Sequence, residues 1–239
     1  SPEVQVALNT AAGAILLKTK DGDPVPYLRA ALAMSPGAGL ALEVLDKVYL
    51  ERKDELSRAR MRRDELNAPL VAPVDFLRRS SRLLEEEKPD EAAQVAREGV
   101  LREPGNAQLM FNLALALSRV EGNVGQAIDV LDCMRSGEAD VVELAALLRA
   151  ALLEREGRVE EGLAAIERAF GTQPENEDAL LHRARLLQKL GHDADAEAGL
   201  RAAMRRGSKR VGVELAGMMM RAGRYEDARS IADEALATA

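Results

Sequence analysis

The sequence is poor in the residues on which many folds and sites depend. Its 239 residues include one cysteine, two histidines, no tryptophan and only 3% aromatic side chains. Because Cys133 is alone, no disulfide forms within the chain, and both cytoplasm and periplasm stay open as compartments. The low aromatic content argues against one large aromatic core and favours helices packed closely through alanine and leucine.

Long apolar runs and positive charge are also in short supply. The longest apolar stretches, such as 113–117 and 145–153, are short or interrupted by Arg149, so no direct membrane insertion is expected. A net charge of −7 argues against a general nucleic-acid or anionic-membrane surface. The chain opens at Ser1 without an initiator methionine or a signal-peptide pattern, so we expect a processed or excised piece of a longer protein.

The patterns that carry catalysis or metal binding are missing as well. His182 and His192 are ten residues apart, without the i, i+4 spacing that places two metal ligands on one helix face. The glutamate run 85–87 fits a solvated helix end, and residues 37–39 lack the Lys-Ser/Thr continuation of a phosphate loop. The sequence therefore predicts no catalytic site, no metal and no cofactor.

What the chain does contain is a helical hairpin that recurs. Residues 143–174 predict two amphipathic helices joined at Gly157 and ended by Pro174, which cannot continue a helix. Sliding this hairpin by 34 residues superimposes its packing places. Seven places of this hairpin then match seven places of the next: Ala146 with Leu180, Ala150 with Ala184, Leu153 with Leu187, Gly157 with Gly191, Gly162 with Ala196, Ile166 with Leu200 and Ala169 with Ala203.

This pattern resembles the tetratricopeptide repeat, a 34-residue helix pair with small and large residues at fixed places and a proline near its end. Continued along the chain, the frame gives seven units, which start near Gln5, Gly39, Pro73, Ala107, Glu143, Glu177 and Lys209. The resemblance implies an all-α, right-handed superhelical solenoid of about seven antiparallel helix pairs. We expect two divergent pairs in 1–72 and five pairs in 73–239, continuous in one solenoid.

The first unit predicts two buried stripes. Leu8, Ala12 and Ile15 have the spacing of an inward-facing stripe on the first helix. Leu28 and Ala31 have the same role on the second helix.

The second unit is irregular, because Asp46 occupies a place that is usually small. The next helix carries a basic cluster whose members are Arg52, Lys53, Arg58, Arg60, Arg62 and Arg63. One interpretation is a grip on phosphate or an acidic partner. The other is a solvated helix face, in which Asp54 pairs with Arg58 and Arg60 with Asp64 at i, i+4 spacing.

The resemblance also implies a groove lined by the first helix of each unit, at its second, fifth, ninth, twelfth and thirteenth places. From the third unit onward the fifth place holds Leu77, Phe111, Leu147, Leu181 and Val213, which is an apolar row. The thirteenth place holds Glu85, Arg119, Arg155, Lys189 and Arg221, which is a row that becomes basic. An acidic-amphipathic peptide would suit both rows. Basic residues are also favoured at helix C-termini without any ligand, so this second explanation stays open.

These observations predict a non-catalytic scaffold that binds another protein or peptide in the groove. The alternative is an assembly, targeting or substrate-recruiting segment of a larger bacterial enzyme or secretion or export machine. In that alternative, self-association through uncapped ends is expected, because a terminal repeat otherwise exposes its packing face.

Overall fold

The computed structural model describes residues 1–134 and 137–237, and these residues form fourteen α-helices without a β-strand. Each helix pairs with its neighbour in sequence, which gives seven antiparallel pairs within the described ranges, as predicted. The helices are α1 (Pro2–Thr19), α2 (Val25–Met34), α3 (Gly39–Glu51), α4 (Glu55–Asn67), α5 (Pro73–Glu85), α6 (Pro89–Arg102), α7 (Ala107–Arg119), α8 (Val124–Cys133), α9 (Ala139–Arg155), α10 (Val159–Phe170), α11 (Glu177–Lys189), α12 (Asp193–Met204), α13 (Lys209–Arg221) and α14 (Tyr225–Ala237).

Most predicted unit boundaries are helix starts in the structure. Five of the seven predicted starts coincide with the first residue of a helix: Gly39, Pro73, Ala107, Glu177 and Lys209. Side chains that accept a backbone N–H bond fix several of these starts. Asn106 caps α7, Asn176 caps α11 and Ser208 caps α13, at donor–acceptor distances of 3.0, 3.1 and 3.2 Å.

Two predicted starts were displaced. Helix α9 begins at Ala139, four residues before Glu143, and α1 begins at Pro2 rather than Gln5. The residue before α9, Glu138, makes no side-chain capping bond. No capping side chain therefore holds α9 to the predicted position, and the helix extends by one further turn.

The chain divides into two compact units, Ser1–Pro104 and Gly105–Ala239. The first unit contains the pairs α1–α2, α3–α4 and α5–α6. Helices α2, α3 and α4 share one buried cluster, and Val6 and Leu17 of α1 pack against it. The cluster is formed by Leu28, Ala31, Ala41, Leu42, Leu45, Val48, Tyr49 and Met61. Leu28 and Ala31 are fully buried, as predicted.

The predicted buried stripe on α1 is wrong. Leu8 and Ile15 are 64% and 60% exposed, and the buried residues of α1 are Thr10 and Gly13. Thr10 satisfies its hydroxyl by donating to the Val6 carbonyl at 2.8 Å. Since α1 carries no charge from residue 4 to residue 17, apolar periodicity fits both of its faces, and packing against α2 and α3 selects between them.

Neither interpretation of the basic cluster on α4 describes Arg58 and Arg62. Both side chains lie against Asp46 of α3, with their Nε atoms 2.9 and 3.2 Å from Oδ1. The pairs predicted at Asp54–Arg58 and Arg60–Asp64 do not form among the described residues. Burial raises the pKa of Asp46, but hydrogen bonds from the two arginines outweigh it and lower the pKa to about 2.

Arginines of α5 also connect the third helix pair of the first unit to residues 37–68. From α5, Arg78 donates to the Gly37 carbonyl at 2.5 Å, and Arg79 donates to the Ala68 carbonyl. Arg82 pairs with Glu65 at 3.2 Å, and burial raises the pKa of that carboxyl in spite of the arginine. The contact between α4 and α5 therefore depends on long polar side chains that reach across from α5.

The second unit stacks four pairs, α7–α8, α9–α10, α11–α12 and α13–α14. Each first helix packs on the second helix of the preceding pair, in the contacts α8–α9, α10–α11 and α12–α13. First helices also contact each other in the order α7, α9, α11, α13. The first helices of this unit therefore present one continuous face.

Most of the packing places predicted in the second unit are buried, but Ala146 is half-buried and the turn glycines Gly157 and Gly191 are exposed. Leu180, Ala184, Leu187, Ala196, Leu200 and Ala203 all belong to one buried cluster. Ala169 is exposed instead, and it lines a cavity of about 360 Å³ with Leu131 and Ala146.

Candidate functional site

Three of the five residues in the predicted apolar row lie together. Leu147 of α9, Leu181 of α11 and Val213 of α13 line one cavity of about 500 Å³ on the first-helix face of the second unit. Leu147 and Leu181 are half-buried, whereas Val213 is 72% exposed. These aliphatic side chains come from the first helices of three successive pairs, and the row is open to solvent at one end. It offers a surface that apolar groups of a ligand would cover.

The other two members of the row are placed differently. Phe111 is half-buried on α7 in the second unit, but it does not line this cavity. Leu77 is half-buried on α5 and belongs to the first unit.

The cavity has a polar side that the two predicted rows missed. It is lined by Asp178, His182, Arg185, Arg210 and Glu214. Arg210 pairs with Asp178 at 2.5 Å, which neutralises both groups at the surface. Arg185 is exposed and forms no ion pair with any carboxylate in the described ranges. The signal was available, because Arg185 occupies the ninth place of its unit, another place that the family resemblance assigns to the groove.

The basic row connects neighbouring helices. Arg155, Lys189 and Arg221 are the last residues of α9, α11 and α13. Each contacts the first helix of the preceding pair: Arg155 donates to the Ser118 carbonyl at 3.2 Å, Lys189 pairs with Glu154 at 2.7 Å, and Arg221 donates to Gln188 at 3.2 Å. The three partners, Ser118, Glu154 and Gln188, all occupy the twelfth place of their units.

The basic residues of this row therefore make contacts within the protein, in addition to lying at the C-termini of their helices. Arg221 also pairs with Glu214 at 3.1 Å within its own helix. Arg119 ends α7 and is likewise engaged, and Glu85 pairs with Arg82 at 2.6 Å in the first unit. These contacts explain basic residues at the thirteenth place without a ligand, and they leave Arg185 as the more available cation at the cavity.

His182 of the cavity lining belongs to a polar triad with Glu154 and Lys189. Glu154 accepts from Lys189, and its Oε2 lies 3.0 Å from Nε2 of His182. Burial lowers the pKa of His182 although Glu154 opposes the shift, so the imidazole is neutral at pH 7. Burial raises the pKa of Glu154, but hydrogen bonds from Lys189 and His182 outweigh it and the net shift is downward. Lys189 is therefore the counter-charge of Glu154 at neutral pH.

No helix in the described ranges combines the length and the apolar character needed to cross a bilayer. Within the same ranges, no three histidine, cysteine or acidic side chains lie close enough together to hold a metal ion. Cys133 is exposed at the end of α8.

Seven helix pairs, their register and the first-helix stack of the second unit together define a helical-repeat protein with the tetratricopeptide repeat fold. Comparison with solved structures gives the same answer. A tetratricopeptide repeat protein from Parabacteroides merdae superimposes with a TM-score of 0.63 at 15% identity, over 98% of this chain and 93% of that one. PilF of Pseudomonas aeruginosa superimposes with a TM-score of 0.60 at 19% identity, over 96% and 98% of the two chains.

A third similar structure has a described ligand site. YrrB, described as a tetratricopeptide repeat protein with an unusual peptide-binding site, superimposes with a TM-score of 0.51 at 19% identity, over 70% of this chain and 86% of that one. No family model matches the chain, and no curated protein sequence matches it significantly. At these identities the likeness establishes the fold.

Proposed function

We propose that this protein is a non-catalytic interaction scaffold that binds a peptide or protein segment along the first helices of its second unit. The observation that carries the proposal is the 500 Å³ cavity lined by Leu147, Leu181 and Val213, which come from the first helices of three successive pairs. A segment laid across these helices would bury aliphatic surface that now faces water. The fold it shares with YrrB supports a peptide as the ligand.

The charges at the cavity favour an acidic-amphipathic segment. Apolar side chains of the ligand would meet the aliphatic row, and a carboxylate would meet Arg185, whose guanidinium offers a bidentate partner. Arg155 is the second candidate, because its described contact is a single carbonyl oxygen. Lys189 and Arg221 contribute less, since each already has a carboxylate partner.

The test is a selection of peptides on the full chain followed by affinity measurement. Random peptides displayed on phage would be selected on the wild-type protein, and the enriched sequences synthesised with a fluorophore. Binding to wild type and to the double variant Val213→Asp, Arg185→Glu would then be measured by fluorescence anisotropy at low and high salt. We expect the double variant to bind at least about ten-fold more weakly, and the wild-type affinity to fall with salt.

A matched control is available in the first unit. Leu101 is 76% exposed on α6, and Arg97 is an exposed arginine of the same helix. The variant Leu101→Asp, Arg97→Glu makes similar changes of charge and polarity at residues that do not line the cavity, and it is expected to bind the peptides as wild type does. Equal affinity of the cavity variant and this control would remove the cavity from the proposal.

The alternative, an assembly, targeting or recruiting segment of a larger bacterial machine, draws support from PilW. That protein is described as a type IV pilus biogenesis factor, and it superimposes with a TM-score of 0.61 at 17% identity. Selected peptides that match a segment of a machine component would favour this alternative, whereas unrelated peptides with a shared acidic-amphipathic pattern would favour a general scaffold.

A further inference from the structure

The polar side of the cavity in the second unit is partly neutralised by contacts within the protein. Arg210 pairs with Asp178 at 2.5 Å, and Glu214 is paired with an arginine of its own helix. Two polar groups of the lining have no internal partner among the described residues: the guanidinium of Arg185 and Nδ1 of His182. Arg185 is the proposed partner of a ligand carboxylate, whereas Nδ1 of His182 has no role in that proposal.

The neighbouring carboxylate fixes which nitrogen of the His182 ring carries the proton. Nε2 lies 3.0 Å from Oε2 of Glu154, and Lys189 lies 2.7 Å from the other oxygen of that carboxyl. Although burial raises the pKa of Glu154, hydrogen bonds from Lys189 and His182 outweigh it, so the carboxyl is ionised at pH 7. An ionised carboxylate only accepts hydrogen bonds, so Nε2 of the neutral imidazole is the donor and Nδ1 carries a lone pair.

Nδ1 is the acceptor that the cavity offers to a ligand. The His182 side chain is 13% exposed, and the ring is part of the cavity lining. Nδ1 is not one of the unpartnered side-chain atoms that the described part of the protein encloses completely, so solvent reaches it. A segment that fills the cavity would exclude solvent from Nδ1, and a buried acceptor left without a donor lowers affinity.

His182 and Arg185 are neighbours on α11, because residues three apart lie on the same face of a helix with about 5–6 Å between their Cβ atoms. In an extended segment, side chains two residues apart point to the same side and are roughly 6.5–7 Å from each other. The two spacings are similar. A segment that places a carboxylate on Arg185 therefore brings the side chain two residues away over His182.

We propose that His182 sets the ligand specificity of the cavity, an inference that rests on the proposed function. Its Nδ1 accepts a hydrogen bond from a hydroxyl or amide N–H of the bound segment, two residues from the acidic side chain that pairs with Arg185. Serine, threonine, asparagine and glutamine supply such donors. An aliphatic side chain at this place leaves Nδ1 unsatisfied, and a carboxylate places two acceptors against each other. The cavity therefore discriminates between acidic-amphipathic segments by one polar, uncharged residue.

A double-mutant cycle on the full chain tests this role. Peptides selected on the wild type would be synthesised with the donor side chain and with alanine in its place, and their affinities measured by fluorescence anisotropy. His182→Gln keeps a donor for Glu154 but has no acceptor at the position of Nδ1. We expect the peptide change and His182→Gln each to weaken binding by about three- to ten-fold, and the two together to weaken it no further than either alone.

Two variants control the cycle. In His182→Asn the side-chain oxygen is expected near the position of Nδ1, so this variant should bind within about two-fold of wild type. His192→Gln, at an exposed histidine, should bind as wild type does. Additive losses, or selected peptides without a hydroxyl or amide side chain near their acidic residue, would overturn the role of His182 while leaving binding in the cavity intact. Failure to select any binding peptide would overturn the proposed function and this inference together.

The pH dependence of binding separates an acceptor from a cation. Protonation of His182 turns Nδ1 into a donor, so affinity for histidine-free peptides should fall by about two-fold or more from pH 7.5 to pH 5.5. His182→Gln should lack this change. A rise in affinity on acidification would show that His182 acts as a positive charge, and either a rise or no change overturns the proposal. The charged groups that face His182 from α9, α11 and α13 are of types that ordinarily titrate outside this range: Glu154, Asp178, Arg185, Lys189, Arg210 and Glu214.

Discussion

At the scale of single residues, charged side chains replace apolar packing at several helix contacts. Asp46 lies where the repeat favours a small residue, and Arg58 and Arg62 of the following helix surround its carboxylate. Glu154 has a similar arrangement, with Lys189 and His182 as partners. Such groups stabilise the fold only while their protonation states are maintained, which makes them sensitive to pH.

Asp46→Asn is expected to lower the free energy of unfolding by about 2 kcal/mol at pH 7, because two half-buried arginines lose their counter-charge. The folded pKa of Asp46 is about 2, below its ordinary value of 3.8. Its contribution is therefore complete above the ordinary pKa and disappears as the pH falls towards the folded pKa. Urea denaturation of wild type and variant should show the difference reduced by about half at pH 3.

Asp23→Asn is the matched control for this measurement. Asp23 also pairs with an arginine, Arg52 at 2.8 Å, but both side chains are about half exposed. An exposed pair contributes about 0–1 kcal/mol, so this variant should lie close to wild type. Equal losses in Asp46→Asn and Asp23→Asn would show that burial of the pair is unimportant.

His182 should make the stability depend on pH as well, but nearer neutrality than Asp46 does. Burial holds its pKa below the ordinary 6.5, so the unfolded chain takes up a proton before the folded chain does. The stability of the wild type should therefore be complete above pH 6.5 and decrease as the pH falls below it. His182→Gln should lose this part of the pH dependence in denaturation experiments at pH 7.5 and pH 5.5.

His192 provides the comparison, because it is exposed and precedes α12. His192→Gln should keep the wild-type pH dependence. NMR titration of the His182 imidazole signal measures the shift directly. A His182 signal that titrates at or above 6.5 would contradict the expectation.

At the scale of helices, close packing depends on small residues at specific contacts. A Cβ atom added to Gly162 of α10 would lie 3.2 Å from the Ala150 carbonyl oxygen and 3.7 Å from Cβ of Leu153, both on α9. Helix α10 could accommodate a methyl group only by moving a few tenths of an ångström away. Gly125 of α8 is also helical, but a Cβ there would meet nothing within 4 Å.

These two glycines should respond differently to the same substitution. Gly125→Ala should raise the free energy of unfolding by about 0.5–1 kcal/mol, because alanine has the higher helix propensity and meets no obstacle. Gly162→Ala should change it little, since the propensity gain is offset by the displaced contact. Gly162→Val should lower it by about 2 kcal/mol or more. Chemical denaturation of the three variants measures the pattern, and an equal gain in both alanine variants would contradict it.

At the scale of the whole molecule, the chain divides into two compact units built from helix pairs. In the second unit the contacts run from one pair to the next, and first helices contact first helices. Stability in such a stack is approximately the sum of each pair and its neighbouring contacts. Surfaces for other molecules therefore come from successive helices together, which is why the proposed ligand site needs α9, α11 and α13.

The same packing explains which sequence expectations succeeded. Five helix starts were predicted from the 34-residue frame. Four of them, at Pro73, Ala107, Glu177 and Lys209, also have a capping side chain or a proline at the boundary, and these act locally. The buried places of α11 and α12 were predicted because they repeat, 34 residues later, the places of the preceding unit. On α1 the prediction was wrong, because Leu8 and Ile15 lie on a second apolar face that periodicity does not distinguish from the first.

The sequence by itself determined the helices, their pairing and the 34-residue register, since helix capping, turn residues and apolar spacing are properties of neighbouring residues. Only the tertiary structure decided which face of α1 is buried, that Asp46 is held by Arg58 and Arg62, and that the basic helix ends reach back to the preceding first helix. Those outcomes depend on which side chains of separate helices come within contact distance, and that distance is set by packing between pairs.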